Sequence, residues 1–164
     1  MFCKYKKTNL FVEQDPALQQ QFQEAGFGIE QEGSVLFHPL EVAYLVSKGK
    51  SSIQKSSLQQ FMRSQSKKDK LFGFAFAVYC HIRATGRQVR LFSKGIKYLR
   101  AYAPGIGREE ERPSHLVCLL PGKAPSLKSL EEEVKVAHLA RLDLIVACGT
   151  PDSLKFYKIS TYNF

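Results

Sequence analysis

The hydrophobic positions of this chain change their period near Gly86, which separates a long helical pattern from a series of strands. Before Gly86, apolar residues recur at helical spacing in the segment KLFGFAFAVYCHIRAT, and Asp69 is placed to cap its start. Extra aromatic residues widen the apolar stripe, so we predict a helix that is buried on more than one side. After Gly86 the period becomes two, which predicts strands in QVRLFSKG, IKYLRAYAPG and SHLVCLLPG.

The first part of the chain contains shorter elements of both kinds. KYKKTNLFVEQ predicts an edge strand, and Asp15 followed by a proline predicts the start of a short helix. A hairpin with its turn at Gly33 and a helix opened by Pro39 follow, and SSLQQFMRSQ predicts a further helix before the polar joint SKKDK. We predict an α+β fold in two parts, a small N-terminal module of residues 1–67 and a module of residues 68–164 in which helices cover one side of a mixed sheet.

The last part of the chain predicts a capped helix, a buried strand and a terminal strand. Ser129 and Glu132 have the spacing of a capping box, and three consecutive glutamates then lie in the first turn. LIVAC is a continuous apolar run too short for a helix, and it predicts a buried strand. The terminal segment KFYKISTYNF has apolar residues on both faces, so it serves either as an internal edge strand or as an edge that pairs with another chain.

Composition restricts the class of protein. Of 164 residues, 44% are hydrophobic and 24% are charged, which is typical of a soluble globular protein. No apolar run approaches the ~20 residues that span a bilayer, and the polar start MFCKYKK does not resemble a signal peptide, so we expect a cytoplasmic protein. The scattered cysteines lack metal-ligand spacing, so we expect buried thiols, no metal and no other cofactor.

An excess of basic residues indicates a polyanionic partner. Lysine and arginine number 24 against 15 acidic residues, a net charge of +9, and nucleic acid is the usual partner of such proteins. Several basic residues follow Gly86 without an intervening acid, namely Arg87, Arg90, Lys94, Lys97 and Arg100. This cluster is either a solvated face or a surface that contacts RNA phosphates.

Three side chains suit metal-independent cleavage of RNA. The reaction needs a group that takes the proton from the 2′-hydroxyl, an acid that protonates the leaving oxygen and a cation that stabilises the phosphorane. The candidates are Tyr102, His115 and Arg141, which is the cation near the end of the last helix. Tyr102 and His115 are equally consistent with ordinary strand residues that have no chemical function.

Three segments resemble motifs of the tRNA-splicing endonuclease family. GRQVRLFSKGIKYLRAYAPG is similar to the strand that ends in the family's catalytic tyrosine, and VKVAHLARLDLIVACGTPDSLKFYKIS is similar to the family's last helix and last two strands. LFHPLEVAYLVSKGK resembles a helix of the N-terminal domain. The resemblance covers most of the chain and implies an endonuclease-like fold for the second module.

This chain departs from the family at two of the three catalytic positions. Tyr102 matches the catalytic tyrosine, but Arg112 stands at the position of the histidine and Leu142 at that of the lysine. The resemblance therefore implies a noncatalytic, structural subunit of an archaeal heteromeric endonuclease, with two copies of each subunit. The catalytic partner subunit would then cleave precursor tRNA and leave a 2′,3′-cyclic phosphate.

The resemblance also implies where the subunits meet. Members of the family pair their C-terminal strands and insert an acidic loop of one dimer into a basic pocket of the other. In this chain the strand would be Leu154 to Tyr162, and the loop would be Gly149 to Ser153. The implied interface residues are Asp152, Leu154, Phe156, Tyr157, Ile159 and Tyr162.

Other interpretations stay open from the sequence. The chain is alternatively an active metal-independent ribonuclease that uses Tyr102, His115 and Arg141, or a standalone basic RNA-binding protein. Lys135, at a position where the family often has arginine, either contacts RNA or pairs with Glu131 one helical turn away.

Overall fold

The computed structural model describes residues 2–4, 10–31, 33–50, 57–91, 95–105, 112–122 and 125–161. The chain divides into two compact units, Met1–Phe72 and Gly73–Phe164. Each unit combines helices with a sheet of its own, which confirms the predicted α+β class. Within the described ranges, no helix has the length and apolar character needed to cross a membrane.

The N-terminal unit contains a four-stranded antiparallel sheet and three helices. Its strands are β1 (Phe2–Lys4), β2 (Phe11–Glu13), β3 (Ile29–Gln31) and β4 (Ser34–Phe37), and its helices are α1 (Pro16–Glu24), α2 (Pro39–Ser47) and α3 (Leu58–Lys68). The strands lie in the order β1-β2-β4-β3. The rings of Phe2, Phe22 and Phe37 pack together in the core, with their centroids 5.1 to 6.0 Å apart.

Local hydrogen bonds explain where α1 and α2 begin. Asp15 Oδ1 accepts the amide of Ala17 at 2.9 Å, and the proline at the first helical position has no amide to leave unsatisfied. At α2, His38 Nδ1 accepts the amide of Leu40 at 3.2 Å, and the Glu41 carboxylate accepts the amide of His38 at 2.8 Å. Both predicted helix starts are confirmed.

Two predictions for this unit are wrong. The opening segment forms a pair of antiparallel strands rather than one strand, because Phe2 pairs with Glu13 and Lys4 pairs with Phe11. The first three residues of the segment predicted as a polar joint are helical, since α3 continues through Lys68, and only Asp69 and Lys70 lie outside the helix. Lysines in the last turn of a helix interact favourably with the helix dipole, so polar character alone does not end a helix there.

The C-terminal unit contains a five-stranded mixed sheet and two helices. The elements in chain order are α4 (Phe72–Ala84), β5 (Val89–Leu91), β6 (Tyr98–Tyr102), β7 (Pro113–Pro121), α5 (Leu127–Leu139), β8 (Asp143–Thr150) and β9 (Ser153–Ile159). The strands lie in the order β5-β6-β7-β8-β9. The central strands β7 and β8 are parallel, and the other neighbours are antiparallel.

Helices lie against both faces of this sheet, so the prediction that they cover one side is wrong. On the α5 face, the strand residues that pack with that helix are Leu116, Cys118, Leu144 and Val146. On the α4 face, the strand residues that line a pocket with that helix are Ala101, Val117, Ile145 and Phe156. Strands β7 and β8 have buried residues on both faces, and such strands require cover from both sides.

Helix α5 begins three residues earlier than the capping-box spacing predicts. Ser126 is the N-cap, and its Oγ accepts the amide of Ser129 at 3.2 Å. The three glutamates at 131–133 therefore follow the first turn instead of forming it. Glu133 lies on the buried side of the helix, where it is 4% exposed.

Candidate functional site

The structure brings Tyr102, Arg112 and Leu142, the positions that the resemblance aligns with catalytic residues, to one end of the C-terminal sheet. Tyr102 ends β6 and pairs with Pro113, which directly follows Arg112. Leu142 directly precedes β8 and lines the same pocket as Pro113. We call this cavity of about 500 Å³ the leucine pocket, and its lining residues are Arg100, Pro113, Val136, Leu139, Ala140 and Leu142.

Tyr102 is buried at this end of the sheet. The residue is 4% exposed, and the Arg90 guanidinium carbon lies 6.0 Å from the centre of its ring. Its carbonyl oxygen accepts a hydrogen bond of 3.2 Å from Arg87 Nη1. Both arginines thus contribute to holding Tyr102 within the sheet.

Leu142, which the resemblance aligns with a catalytic lysine, has an aliphatic side chain. It packs against the apolar cluster between α5 and the sheet. The neighbouring basic residues, Arg112 and Arg141, are exposed. Arg141 has φ of +55°, a left-handed conformation that residues other than glycine rarely adopt.

His115 lies on the opposite face of the sheet from the leucine pocket. It pairs with Ala101, and both line the pocket of about 290 Å³ on the α4 face. Its Nδ1 is 2.7 Å from Ser114 Oγ. Burial and the nearby Arg87 lower the pKa of His115, so its ring is neutral at pH 7. Because successive strand residues alternate between faces, Tyr102 and His115 do not converge on one phosphate.

The basic residues predicted to contact RNA are distributed over several surfaces. Arg87 lines the α4-face pocket, whereas Arg100 lines the leucine pocket on the α5 face. Arg90 is half-buried beside Tyr102, and Lys135 is exposed on α5. Lys94 lies outside the described residues. RNA contact by these side chains stays a prediction.

Lys97 belongs to a network around the buried Glu133 that the sequence did not predict. Its Nζ forms an ion pair of 2.7 Å with Glu133 Oε1, and the Tyr98 hydroxyl donates to Glu133 Oε2 at 2.7 Å. Burial alone would raise the pKa of Glu133, but hydrogen bonds from Lys97, Tyr98 and Cys118 hold it below its ordinary value. The hydrogen bond to Glu133 raises the pKa of Lys97. This network links α5 to β6.

One signal in the sequence points to Glu133. It lies three residues after Leu130 and four before Ala137, two apolar residues that pack in or against the core under α5. A carboxylate on such a stripe requires a partner, because an unpaired buried charge is very costly. The hydrophobic periodicity of α5 indicates that Glu133 needs a partner, but only the fold identifies that partner as Lys97.

Strand β9 forms one edge of the C-terminal sheet. Within the described part of the chain, β9 pairs with β8 and no strand covers its other side. Tyr157 is 50% exposed, and beside it a groove of about 430 Å³ extends between β9 and α5, bordered by Leu130 and Ile159. Phe156 stacks on His81 with ring centroids 4.8 Å apart. An open strand edge that carries an exposed aromatic residue can pair with another chain, although Lys155 and Lys158 are also exposed on β9.

The connection before β9 is shorter than the sequence predicted. Thr150 pairs with Ser153, so a two-residue turn of Pro151 and Asp152 replaces the predicted loop from Gly149 to Ser153. The predicted strand is also shorter, because β9 ends at Ile159.

The structure describes two of the three remaining residues that were predicted to lie in the interface. Asp152 is exposed in the turn, and Leu154 is half-buried. Tyr162 lies outside the described residues. No group of three His, Cys, Asp or Glu side chains suited to a metal ion occurs among the described residues.

Comparison with known proteins places the chain in a family of RNA-processing enzymes. No family model matches it. The chain is 31% identical over 144 residues to the tRNA-splicing endonuclease of Thermococcus kodakarensis, a match that covers 84% of each protein. It is 29% identical over 144 residues to the tRNA-splicing endonuclease of Thermococcus gammatolerans, again with 84% of each covered. The one from Thermococcus onnurineus is 26% identical over 167 residues and covers 98% of this chain. The chain belongs to the tRNA-splicing endonuclease family.

Proposed function

We propose that this protein is the structural subunit of a tRNA-splicing endonuclease, which binds a catalytic subunit and positions it for removal of introns from precursor tRNA. The observation that carries this proposal is Leu142. An aliphatic side chain occupies the position of the family's catalytic lysine, and it cannot stabilise the negative charge of a phosphorane.

The geometry around Leu142 supports the same interpretation. Tyr102 is 4% exposed, which leaves its side chain little access to a scissile phosphate. His115 lines a pocket on the other face of the sheet and cannot take over the position held by Arg112. Cleavage that leaves a 2′,3′-cyclic phosphate is therefore assigned to the partner subunit.

The open edge of β9 supports an architectural function. Pairing of β9 with a strand of the catalytic subunit would satisfy backbone groups of both chains and bury Tyr157. Two copies of each subunit complete the proposed assembly. The short turn at Asp152 offers a single carboxylate, so strand pairing rather than loop insertion is the main contribution of this end of the chain.

A cleavage assay with separated subunits tests the proposal. Precursor tRNA is incubated with this protein, with the catalytic subunit, and with the two together. We expect cleavage only with both subunits. Cleavage by this protein alone would establish the nuclease interpretation, and equal cleavage without it would support a separate RNA-binding protein; either result contradicts the proposal.

Substitutions in the assembled complex test whether this chain supplies a catalytic group. Tyr102→Phe and His115→Ala should each leave the cleavage rate within roughly twofold of the unsubstituted complex, whereas substitution of the partner's own catalytic residues should abolish cleavage. A loss of about a hundredfold with either variant of this chain, in a complex of unchanged mass, would show that the chain takes part in the chemistry.

A further inference from the structure

Helix α3 ends a strongly basic segment of the N-terminal unit. Residues 42–68 contain six of the 24 basic residues of the chain and none of its 15 acidic residues, so this segment contributes +6 to the net charge of +9. The basic residues that follow Gly86 do not form one surface, because the fold places Arg87 and Arg100 on opposite faces of the C-terminal sheet. The charge excess of the protein is therefore concentrated in residues 42–68.

One face of α3 is exposed and carries no acid. The opposite face is packed, since the ring of Phe61 lies 5.5 Å from that of Phe11 and Gln65 is only 3% exposed. At 3.6 residues per turn, the exposed face lies on the other side of the helix from Gln65. Its residues, all of them exposed and either basic or polar without charge, are Gln59, Gln60, Arg63, Ser64 and Lys67.

Arg63 and Lys67 lie at the centre of this face, one helical turn apart. Neither forms an ion pair with another described residue. Like charges at this spacing destabilise a helix slightly. The helix dipole favours Lys67 in the last turn, but Arg63 lies in the middle of α3 and gains little from it. The stability of the helix thus does not account for the pair.

The acids that flank this segment along the chain bind backbone amides. Glu41, the last acid before it, is 6% exposed and accepts the amides of Gly28 and His38. Asp69, the first acid after it, accepts the amide of Leu71 at 2.9 Å. Both carboxylates thus serve the local backbone, and the cations of the exposed face of α3 are accessible to an external anion.

We propose that the exposed face of α3 binds the phosphates of paired RNA. Arginine and lysine neutralise phosphates, and glutamine and serine side chains add hydrogen bonds to phosphate and sugar oxygens. The face has no aromatic side chain on which an unpaired base could stack, which favours a duplex over a single strand. The inference rests on the proposed function only for the identity of the RNA, since precursor tRNA contains paired stems.

Fluorescence anisotropy with the full-length protein tests this inference. The probe is a labelled RNA duplex of about 16 base pairs, and single-stranded oligouridine of the same length is the comparison. Both are titrated at several salt concentrations. We expect the duplex to bind several-fold more tightly than oligouridine, and its affinity to fall as salt rises, because each phosphate contact releases bound cations.

Two double variants, each of which removes two positive charges, separate a specific surface from the overall charge. Arg63→Gln combined with Lys67→Gln should weaken duplex binding by about tenfold and lower the salt slope by about two, since two phosphate contacts are lost. Lys4→Gln combined with Lys128→Gln is the control, because these exposed lysines lie on β1 and α5. The control should change the affinity by less than about threefold and leave the slope unchanged. All four side chains are exposed, so both variants should fold, which circular dichroism verifies.

Several results would overturn the inference. They are equal weakening by the two double variants, an unchanged salt slope with the α3 variant, or binding of oligouridine as tight as that of the duplex. Stronger competition by polyglutamate than by unlabelled duplex would also overturn it and would identify a surface for an acidic protein. The measurement needs neither a partner subunit nor cleavage, so its failure leaves the proposed structural function to be decided by the cleavage assay.

Discussion

The turn between β8 and β9 depends on a single glycine. Gly149 has φ of +101°, and a β-carbon at this position would overlap the carbonyl oxygen of Ser153. Its own carbonyl accepts the amide of Gly122 at 3.0 Å. Any side chain at residue 149 would therefore require both a strained backbone and a displaced strand β9.

Gly149→Ala should lower the free energy of unfolding by about 3 kcal/mol or more, because backbone strain and steric overlap add together. Gly122→Ala is the matched control, since Gly122 has φ of +92° but no atom within 4 Å of the added β-carbon. Gly122→Ala should lower the free energy of unfolding by about 1 to 2 kcal/mol, which is the backbone strain alone. Urea unfolding measures the decrease in the free energy of unfolding for both variants. Equal decreases would show that the contact with Ser153 is unimportant.

Arg141 stores strain at the end of α5. Replacement by glycine should relieve the left-handed conformation and raise the free energy of unfolding by roughly 1 kcal/mol. Arg141→Ala removes the same charge but keeps the strain, so it should bring no such gain. If alanine stabilised the protein as much as glycine, the charge of Arg141 rather than its backbone would be the cause.

At the level of secondary structure, α5 is attached to β6 by charge as well as by apolar packing. Glu133 accepts hydrogen bonds from Lys97 and Tyr98, and it is 4% exposed. Removing Lys97 or the Tyr98 hydroxyl leaves the buried Glu133 carboxylate without full compensation, whereas Lys97 is partly exposed to water. The orientation of α5, and with it the position of Leu139 and the leucine pocket, depends on this attachment.

Glu133→Gln should lower the free energy of unfolding by about 2 kcal/mol at pH 7, because it removes a charge-assisted pair at nearly constant volume. Glu132→Gln is the control on the exposed side of the same helix and should change it by less than about 0.5 kcal/mol. Chemical denaturation of the two variants measures the difference. Similar losses in both would mean that the buried position of Glu133 is irrelevant.

The effect of Glu133→Gln should depend on pH in a defined direction. The pKa of Glu133 lies below its ordinary 4.5 in the folded protein, so its stabilising charge is fully present above that value and is lost as the pH falls through the folded pKa. The pKa of Lys97 is raised above 10.5, so its contribution is lost only as the pH rises beyond that point. The protein and the variant should therefore converge in stability under acid conditions and differ most between about pH 5 and 10.

Elements whose boundaries depend on local chemistry could be predicted from the sequence. Asp15 and Pro39 identify the starts of α1 and α2 because capping involves residues only a few positions apart. The start of α5 could not be located in this way, since Ser126 and Ser129 are both acceptable N-caps. Only the structure shows that Ser126 is the N-cap, with its Oγ accepting the amide of Ser129.

The candidate site shows the same division between local and tertiary information. The resemblance to the family singled out Tyr102, Arg112 and Leu142, which the fold brings to one end of the sheet. It did not reveal that His115 lies on the other face, because that follows from the pairing of His115 with Ala101 rather than with Tyr102. The register of two strands depends on the fold and cannot be read from one sequence.

At the scale of the whole molecule, the proposed assembly depends on the edge of β9. Tyr157 and Ile29 are similarly exposed apolar residues, at 50% and 56%, but Ile29 lies on β3 of the N-terminal unit. Because the two side chains are similarly exposed, substituting each in turn separates the effect of a position on β9 from the effect of losing exposed apolar area. Only Tyr157 lies beside the groove that β9 forms with α5.

Tyr157→Ser should weaken association with the catalytic subunit by about tenfold or more, because truncation of a central aromatic residue in an interface is costly. Ile29→Ser should leave association unchanged. Light scattering over a range of concentrations measures the mass of the assembly for both variants. If the two substitutions weakened it equally, or if neither did, β9 would not be the edge at which the subunits join.

The two-residue turn at Pro151 and Asp152 has a consequence for how the protein is made. Strands joined so closely pair early in folding, because little chain entropy is lost in closing the hairpin. The outer edge of β9 is thus complete before a partner has arrived, and it can act as a template for other extended chains. If a partner strand covers β9 as proposed, protein made without that partner should tend to aggregate through this edge.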